Sequence, residues 1–371
     1  MIYLDNSATT HHKPETVVEA VYDYIKNYAS NSGRGSHKLS NYSGEMVYSC
    51  RELIATLFNI DDPSLIAFTS NTTTALNFAI HGLLNKESHV VISGMEHNSV
   101  LRPVVATGCD YTVAKADMTG FVSAKSVEKA INDRTTLIII NHASNIVGTI
   151  NPIEEIGKVA KKHNIPLMVD CAQTAGVVDI DVKRDNISVL AFAGHKLLYG
   201  PTGTAGLYVS KNILLKPIIQ GGTGTLSESM FQPEFMPDML ESGTLNLVGI
   251  AGLKEGVRFV LENGVSNLFN YEKGLVTELK RGLSAINRVK IYGNNDCVGV
   301  VGFAVDGIDS VTVSSLLDEQ FDIASRGGLH CAVLAHNSLG TTDTGLIRLS
   351  VSRFNTTEEI EKAVDAIKRV I

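Results

Sequence analysis

An acid and a lysine stand 26 residues apart, each just past a strand-like run of the chain. The run Pro166–Val169 passes into Asp170 and then Cys171-Ala172-Gln173, and the run Val189–Phe192 passes into Ala193-Gly194-His195-Lys196. That separation holds one crossover and a return strand. Both groups then lie beyond the carboxyl ends of strands, where open parallel sheets bind their ligands. Singly, Asp170 reads as a helix cap or loop residue and Lys196 as a solvated side chain. Jointly they suit pyridoxal phosphate: the amine forms a Schiff base, and the carboxylate keeps the pyridine nitrogen protonated so that the ring accepts electrons. Burial raises the pKa of an isolated carboxylate, whereas a pyridinium partner favours its ionised form.

Two further strand ends fit the same group. Leu65–Thr69 runs into Ser70-Asn71-Thr72-Thr73-Thr74 ahead of a helix over Ala75–Leu83. Hydroxyls and free backbone N–H groups at a helix start make a phosphate site, although an ordinary Ser/Thr cap gives the same pattern. His89–Ser93 ends in Gly94-Met95-Glu96-His97, which places an imidazole where it can lie over an aromatic ring or simply occupy a surface loop.

The elements that must position these groups alternate from about residue 16 to 245. Apolar, β-branched runs at 65–69, 89–93, 137–140, 166–169 and 189–192 are separated by helical patterns such as Val122–Asn132 and Ile153–His163. This is the signature of an α/β chain with a mostly parallel sheet covered on both faces. After Leu247 the rhythm changes to long helices (Val248–Asn263, Val265–Ile286), then strand-like Val289–Tyr292 and Val300–Val305. The chain closes on a helix introduced by Thr356 and Glu359, a capping-box pair. A large domain over 13–247 and a smaller one built from 1–12 and 248–371 are expected. The length, 371 residues, agrees with two cores.

Composition excludes several classes. A net charge of −7 argues against nucleic acid or an anionic membrane as the main partner. The first residues lack the charged-then-apolar pattern of a secretory signal, and no run of about 18 apolar residues occurs. Five cysteines without paired spacing point to reduced thiols in a cytoplasm. The eleven histidines offer no metal-ligand spacing, so no metal is expected.

The stretch from Ala191 through Gly194-His195-Lys196 to Gly203 resembles the lysine loop of class V aminotransferase-like PLP enzymes, in particular the cysteine desulfurase and selenocysteine lyase branch. Tyr3-Leu4-Asp5-Asn6-Ser7-Ala8-Thr9-Thr10, Arg34-Gly35-Ser36-His37 and Asn145-Ile146-Val147-Gly148-Thr149 carry the same resemblance, in the same order along the chain. It implies PLP fold-type I, with a large domain around a mostly parallel seven-stranded sheet and a smaller α+β C-terminal domain. By the same resemblance Lys196 holds the cofactor, Asp170 pairs with the pyridine nitrogen, Gln173 bonds the phenolic oxygen and His97 stacks on the ring. Thr72, Thr73 and His195 would hold the phosphate. Thr244 would reach the phosphate of a neighbouring subunit, which implies a homodimer. Asn145 and Arg348 match positions that bind the substrate carboxylate, a task suited to the planar fork of arginine. The family often carries Ser where this chain has Ala193, so one phosphate donor is lost and weaker cofactor binding is expected.

Arg326-Gly327-Gly328-Leu329-His330-Cys331-Ala332 resembles the catalytic loop of the second group of cysteine desulfurases, with Leu329 replacing a histidine. The resemblance implies that Lys196 moves the substrate Cα proton and that Cys331, as thiolate, attacks the substrate sulfur. Alanine and a persulfide on Cys331 result. A sulfur-acceptor protein would follow. Arg326 or His330 is expected to supply positive charge to the thiol. Selenocysteine as substrate, another class V reaction (transamination, epimerisation or β-elimination) and a non-catalytic scaffold are the alternatives. Intact Lys196, Asp170, Gln173 and Arg348 argue against the last.

Overall fold

The protein is described from a computed structural model over residues 1–32 and 35–371. Arg34, of the Arg34–His37 run, lies outside the described residues.

The chain opens on a short strand, β1 (Ile2–Tyr3). It then builds a seven-stranded sheet from β2 (Ile66–Thr69), β3 (His89–Ser93), β4 (Asp110–Ala114), β5 (Thr135–Asn141), β6 (Leu167–Asp170), β7 (Val189–Ala193) and β8 (Ala205–Val209). Their order is β2-β8-β7-β6-β5-β3-β4. From β7 to β4 every pairing is parallel, and β8 alone runs antiparallel to both its neighbours. Every residue of β3, β6 and β7 is buried, as expected where helices cover both faces.

Two strand ends and one helix start near the site differ from expectation. The first run starts at Ile66 because Pro63–Leu65 forms a 3₁₀ turn capped by Asp62. Asp170 is the last residue of β6 rather than the first beyond it. The helix expected at Ala75 begins at Thr72, because the Asn71 side chain caps it by accepting from the Thr74 N–H at 2.9 Å. This brings Thr72 and Thr73 into the first helical turn, where backbone N–H groups are free of helical partners.

The helices of this part are α1 (Glu15–Asp23), α2 (Lys38–Phe58), α3 (Thr72–Leu83), α4 (Asn98–Thr107), α5 (Ala124–Ala130) and α6 (Ile153–Lys162). The next, α7 (Leu247–Asn263), packs on α1 and α2. Its Leu247, Ile250, Leu253 and Val257 share one core with Ile54 and Phe58. Each such fully buried side chain contributes about 1.5–3 kcal/mol.

The second sheet is antiparallel, in the order β12-β13-β10-β9, from β9 (Val289–Tyr292), β10 (Val300–Val305), β12 (Arg326–Gly328) and β13 (Leu346–Ser350). Its apolar face, including Val301, Phe303, Ile347 and Leu349, packs against α8 (Val265–Ser284), α9 (Ser310–Phe321) and α11 (Thr357–Val370). A short α10 (Val333–Leu339) follows β12, and Thr356 with Glu359 forms the capping box of α11. Strand β1 pairs in parallel with β11 (Ile323–Ala324), and Asp5 bridges to Ser350. The N-terminal segment is thereby tied to the second sheet and carries Ser7 and Ala8 onward to the cavity described below.

Between these bodies α8 buries Glu272, both of whose carboxylate oxygens lack a partner among the described residues. Loss of water pushes its pKa up to about 8. An acid that holds its proton more tightly when folded stabilises below its unfolded pKa and loses that contribution as pH rises through the folded value. Wild type is therefore expected to lose stability relative to Glu272→Gln between about pH 4.5 and 8, by about 5 kcal/mol. Thermal melts of both proteins across that range check it. A constant difference would show that Glu272 does not titrate there.

Candidate active site

Parallel strands β3, β5, β6 and β7 deliver their carboxyl ends to one edge of the large sheet. A cavity of about 240 Å³ opens there, and β12 and β13 of the second sheet supply its opposite wall. Thr72, Thr73, His97, Asp170, Gln173 and Lys196 line it, as do His195, Asn145 and Arg348. Nine of the ten expected cavity residues are therefore together. Thr244 is exposed and lines a different pocket, beside Phe68, Thr69 and Ser70.

Asp170 is buried, and its Oδ1 accepts from the Ala172 N–H at 2.9 Å. Desolvation raises its pKa, while the Ala172 bond and the Lys196 cation oppose the rise. Lys196 follows β7 by three residues, and loss of water brings its amine down to about 8, with Asp170 opposing. Gln173 anchors through Nε2 to the Ser7 carbonyl at 3.2 Å.

Burial keeps the cavity histidines neutral. His97 caps α4, its Nδ1 accepting from the Ser99 N–H at 3.1 Å, so the ring proton resides on Nε2. Burial, aided by the Lys196 cation, lowers its pKa to about 4. Ser99 Oγ links that ring, at 2.8 Å, to Thr73 Oγ1, at 2.7 Å. His195 contacts Thr9 Oγ1 through Nδ1 at 3.1 Å and is likewise brought to about 4, chiefly by burial. Its carbonyl accepts from Thr10 Oγ1 at 3.1 Å and Lys13 Nζ at 2.9 Å, which pins the lysine loop to the N-terminal segment. Ala193 is fully buried inside β7 and is not part of the cavity wall.

Arg348, on β13, is buried to 1% exposure. Its Nη2 pairs with Asp5 at 2.5 Å, its Nη1 donates to the Asn145 carbonyl at 3.0 Å, and its buried Nε has no partner among the described residues. Arg326 opposes Arg348 in the β12–β13 ladder and lines the same cavity. Two guanidinium groups on one wall make it a site for an anion.

The thiol loop corrects one expectation. His330 is buried, and its Nε2 lies 3.2 Å from the Arg326 carbonyl, which only accepts. The proton is therefore on Nε2, and burial, then Arg348, lowers the pKa to about 3. A neutral imidazole supplies no positive charge to Cys331, which leaves Arg326 as the cation of that pair. Cys331 is exposed and faces a second, outer pocket that shares Thr73, His97 and Ser99 with the inner cavity. Leu329 is 42% exposed. The other four cysteines are buried, and desolvation pushes the Cys171 thiol well above its ordinary range.

Sequence reasoning missed Ser7, Ser99 and Asn141 as cavity residues. Asn141 was within reach of the strand-end rule, since it ends β5 in register with Asp170. Ser7 was not, because only the pairing of β1 brings it there. No three potential metal ligands gather among the described residues.

Comparison with known families bears directly on this arrangement. A model of the class-V aminotransferases matches residues 2–363. The chain belongs to the aminotransferase class-V family. It is 33% identical over its whole length to a probable cysteine desulfurase of Methanothermobacter thermautotrophicus, spanning 94% of that relative. A probable cysteine desulfurase of Borreliella burgdorferi is also 33% identical, with 100% of this chain and 92% of the relative covered. The apo structure of a cysteine desulfurase from Thermococcus onnurineus superposes with a TM-score of 0.93 at 32% identity, covering 100% of this chain and 94% of the other. The S-sulfonic acid form of the Escherichia coli cysteine desulfurase CsdA gives 0.90 at 27% identity, with 99% and 94% covered. The α/β architecture, with its mostly parallel central sheet, is thus that of fold-type I.

The cavity fits the cofactor of that family. It offers a buried acid with one carboxylate oxygen left for a protonated ring nitrogen, and an amine nearer to neutrality than an exposed lysine. A neutral imidazole and the first turn of α3 complete the set needed for a ring and a phosphate.

Proposed function

We propose that this class-V protein is a cysteine desulfurase that converts L-cysteine to L-alanine and carries the sulfur as a persulfide on Cys331. The observation that carries the reading is one cavity joining Lys196, Asp170 and Arg348, with an exposed cysteine on the loop beside it. The names borne by full-length relatives support it. Bound in the cavity, pyridoxal phosphate supplies an aldehyde carbon for an amine and a ring that accepts electrons. Asp170 would hold the ring nitrogen's proton by its negative charge, Gln173 would bond the phenolic oxygen and His97 would stack on the ring. Thr72, Thr73 and His195 hold the phosphate. Arg348 and Asn145 bind the substrate carboxylate, the buried Nε of Arg348 giving it a donor with no competing partner. Lys196 carries the Cα proton. Cys331 attacks the substrate sulfur: a sulfur–sulfur bond forms, the carbon–sulfur bond breaks, and the departing carbon fragment is protonated to alanine.

Thr244 completes this reading only through a second copy of the chain, and the exposed Met230 and Phe231, at 93% and 80%, suit a surface covered in a homodimer. The division into 13–247 and 1–12 with 248–371, a cytoplasmic setting and a sulfur-acceptor protein belong to the same proposal. No helix among the described residues is long and apolar enough to cross a membrane. The test offers L-cysteine and a reductant to cofactor-loaded protein. Alanine and sulfide in equal amounts are expected. A keto acid or racemised cysteine in their place overturns the reading in favour of another class V reaction.

A further inference from the structure

The loop between β12 and α10 sends neighbouring residues into two adjoining spaces. His330 lines the inner cavity with Lys196, whereas Cys331 lines the outer pocket. Thr73, His97 and Ser99 line both spaces, which adjoin there. A thiol that must meet a sulfur held over Lys196 therefore lies outside the inner cavity in this conformation.

What holds it there is specific. His330 and Cys331 both have left-handed backbone, with φ of +50° and +56°, just beyond Leu329, which itself follows Gly328 at +108°. Two consecutive non-glycine residues in that region persist only where their surroundings fix them. The fixing bonds are to the two carbonyls: Asn145 Nδ2 donates to His330 O at 2.9 Å, and the Asn98 N–H donates to Cys331 O at 2.7 Å. The first of these donors belongs to a side chain that also faces the inner cavity, on the residue whose own carbonyl accepts from Arg348 Nη1.

We propose that Asn145 is a positioning residue that latches the Cys331 loop outward, and that a substrate carboxylate arriving at Arg348 draws the Asn145 amide from the His330 carbonyl and frees the loop to turn inward. The idea rests on Cys331 being the nucleophile, as proposed above. It gives the strained backbone a use: the outward state is held by few bonds, so a ligand that breaks one shifts the balance toward the inward state. It also gives the neutral, buried His330 a place as the pivot, since its ring stays bonded to the Arg326 carbonyl on its own loop.

Hydrogen exchange of the 326–333 segment, measured in cofactor-loaded full-length protein, tests the latch. Asn145→Ala removes the donor. Asn145→Asp keeps the shape but cannot donate, and guards against a folding failure of the first variant. In both, the amides of 329–332 are expected to exchange about fivefold faster or more than in wild type, the effect of one ordinary hydrogen bond, with β13 unchanged. L-Alanine, used as the probe of the carboxylate site, is expected to speed the same amides in wild type and to have no effect on them in the variants. Wild-type protection in both variants overturns the latch, and so does a wild-type loop indifferent to saturating L-alanine. A latch that responds as expected in a protein that makes no alanine from cysteine leaves the latch standing and sinks the desulfurase reading instead.

Discussion

Lys196→Ala protein is expected to fold, to bind pyridoxal phosphate without a covalent link and to turn over cysteine at least about 10⁴-fold more slowly than wild type. The size of the effect follows from two jobs resting on one amine. Among the described residues it is the only lysine lining the cavity, and it alone there offers both a covalent attachment and a base near the substrate Cα. With its pKa brought to about 8, roughly a tenth of the amine is already neutral at pH 7, which an exposed lysine would not approach. Borohydride treatment followed by peptide mapping should label Lys196 in wild type and nothing in the variant. A second readout needs no turnover. In cofactor-free protein the buried ammonium opposes folding below about pH 8, and that penalty fades as pH rises from about 8 towards the ordinary lysine value. Cofactor-free Lys196→Met should therefore melt higher than wild type at pH 7, with the gap closing by about pH 10. Pyridoxyl label on another residue, or near-normal turnover, would remove Lys196 from the chemistry.

The sheet edge that assembles this site was legible because parallel strands buried on both faces leave a simple trace: short apolar runs ending in polar residues. β3, β9 and β10 begin and end where the runs do, and the acid and lysine stand at adjacent strand ends. What escaped did so for physical reasons. Strand β8 carries Gly206, whose added Cβ would lie 2.2 Å from Phe192 Cζ, so packing removes the side chain that would have marked a strand. Strand β4 begins on exposed Asp110 and Tyr111, as an edge strand does, and lacks the apolar run of its buried neighbours. The contributions of Arg326, Arg348 and Ser7 depend on how a second sheet and the N-terminal strand meet the first, a matter of tertiary pairing on which local sequence is silent. His330 shows the same limit electrostatically. Its residue type suggests a cation, and only its burial beneath two arginines makes it neutral.

Cys331→Ala separates the two halves of the proposed chemistry. Cys331 does not line the inner cavity, so cofactor absorbance and the KM for cysteine should stay near wild type. Alanine and cysteine share the same difficulty with the left-handed φ of +56° found there, so no new backbone strain enters. With binding intact, the whole loss falls on kcat, expected at about 10²–10³-fold for removal of a nucleophile that acts only once the carbon–sulfur bond is breaking. Selenocysteine should discriminate further. Its carbon–selenium bond cleaves with less help from a thiol, so the variant is expected to keep a much larger fraction of wild-type alanine formation from selenocysteine than from cysteine. Equal losses on both substrates would mean that the thiol positions the substrate rather than attacking it. No loss on either would return Cys331 to an unreactive loop residue.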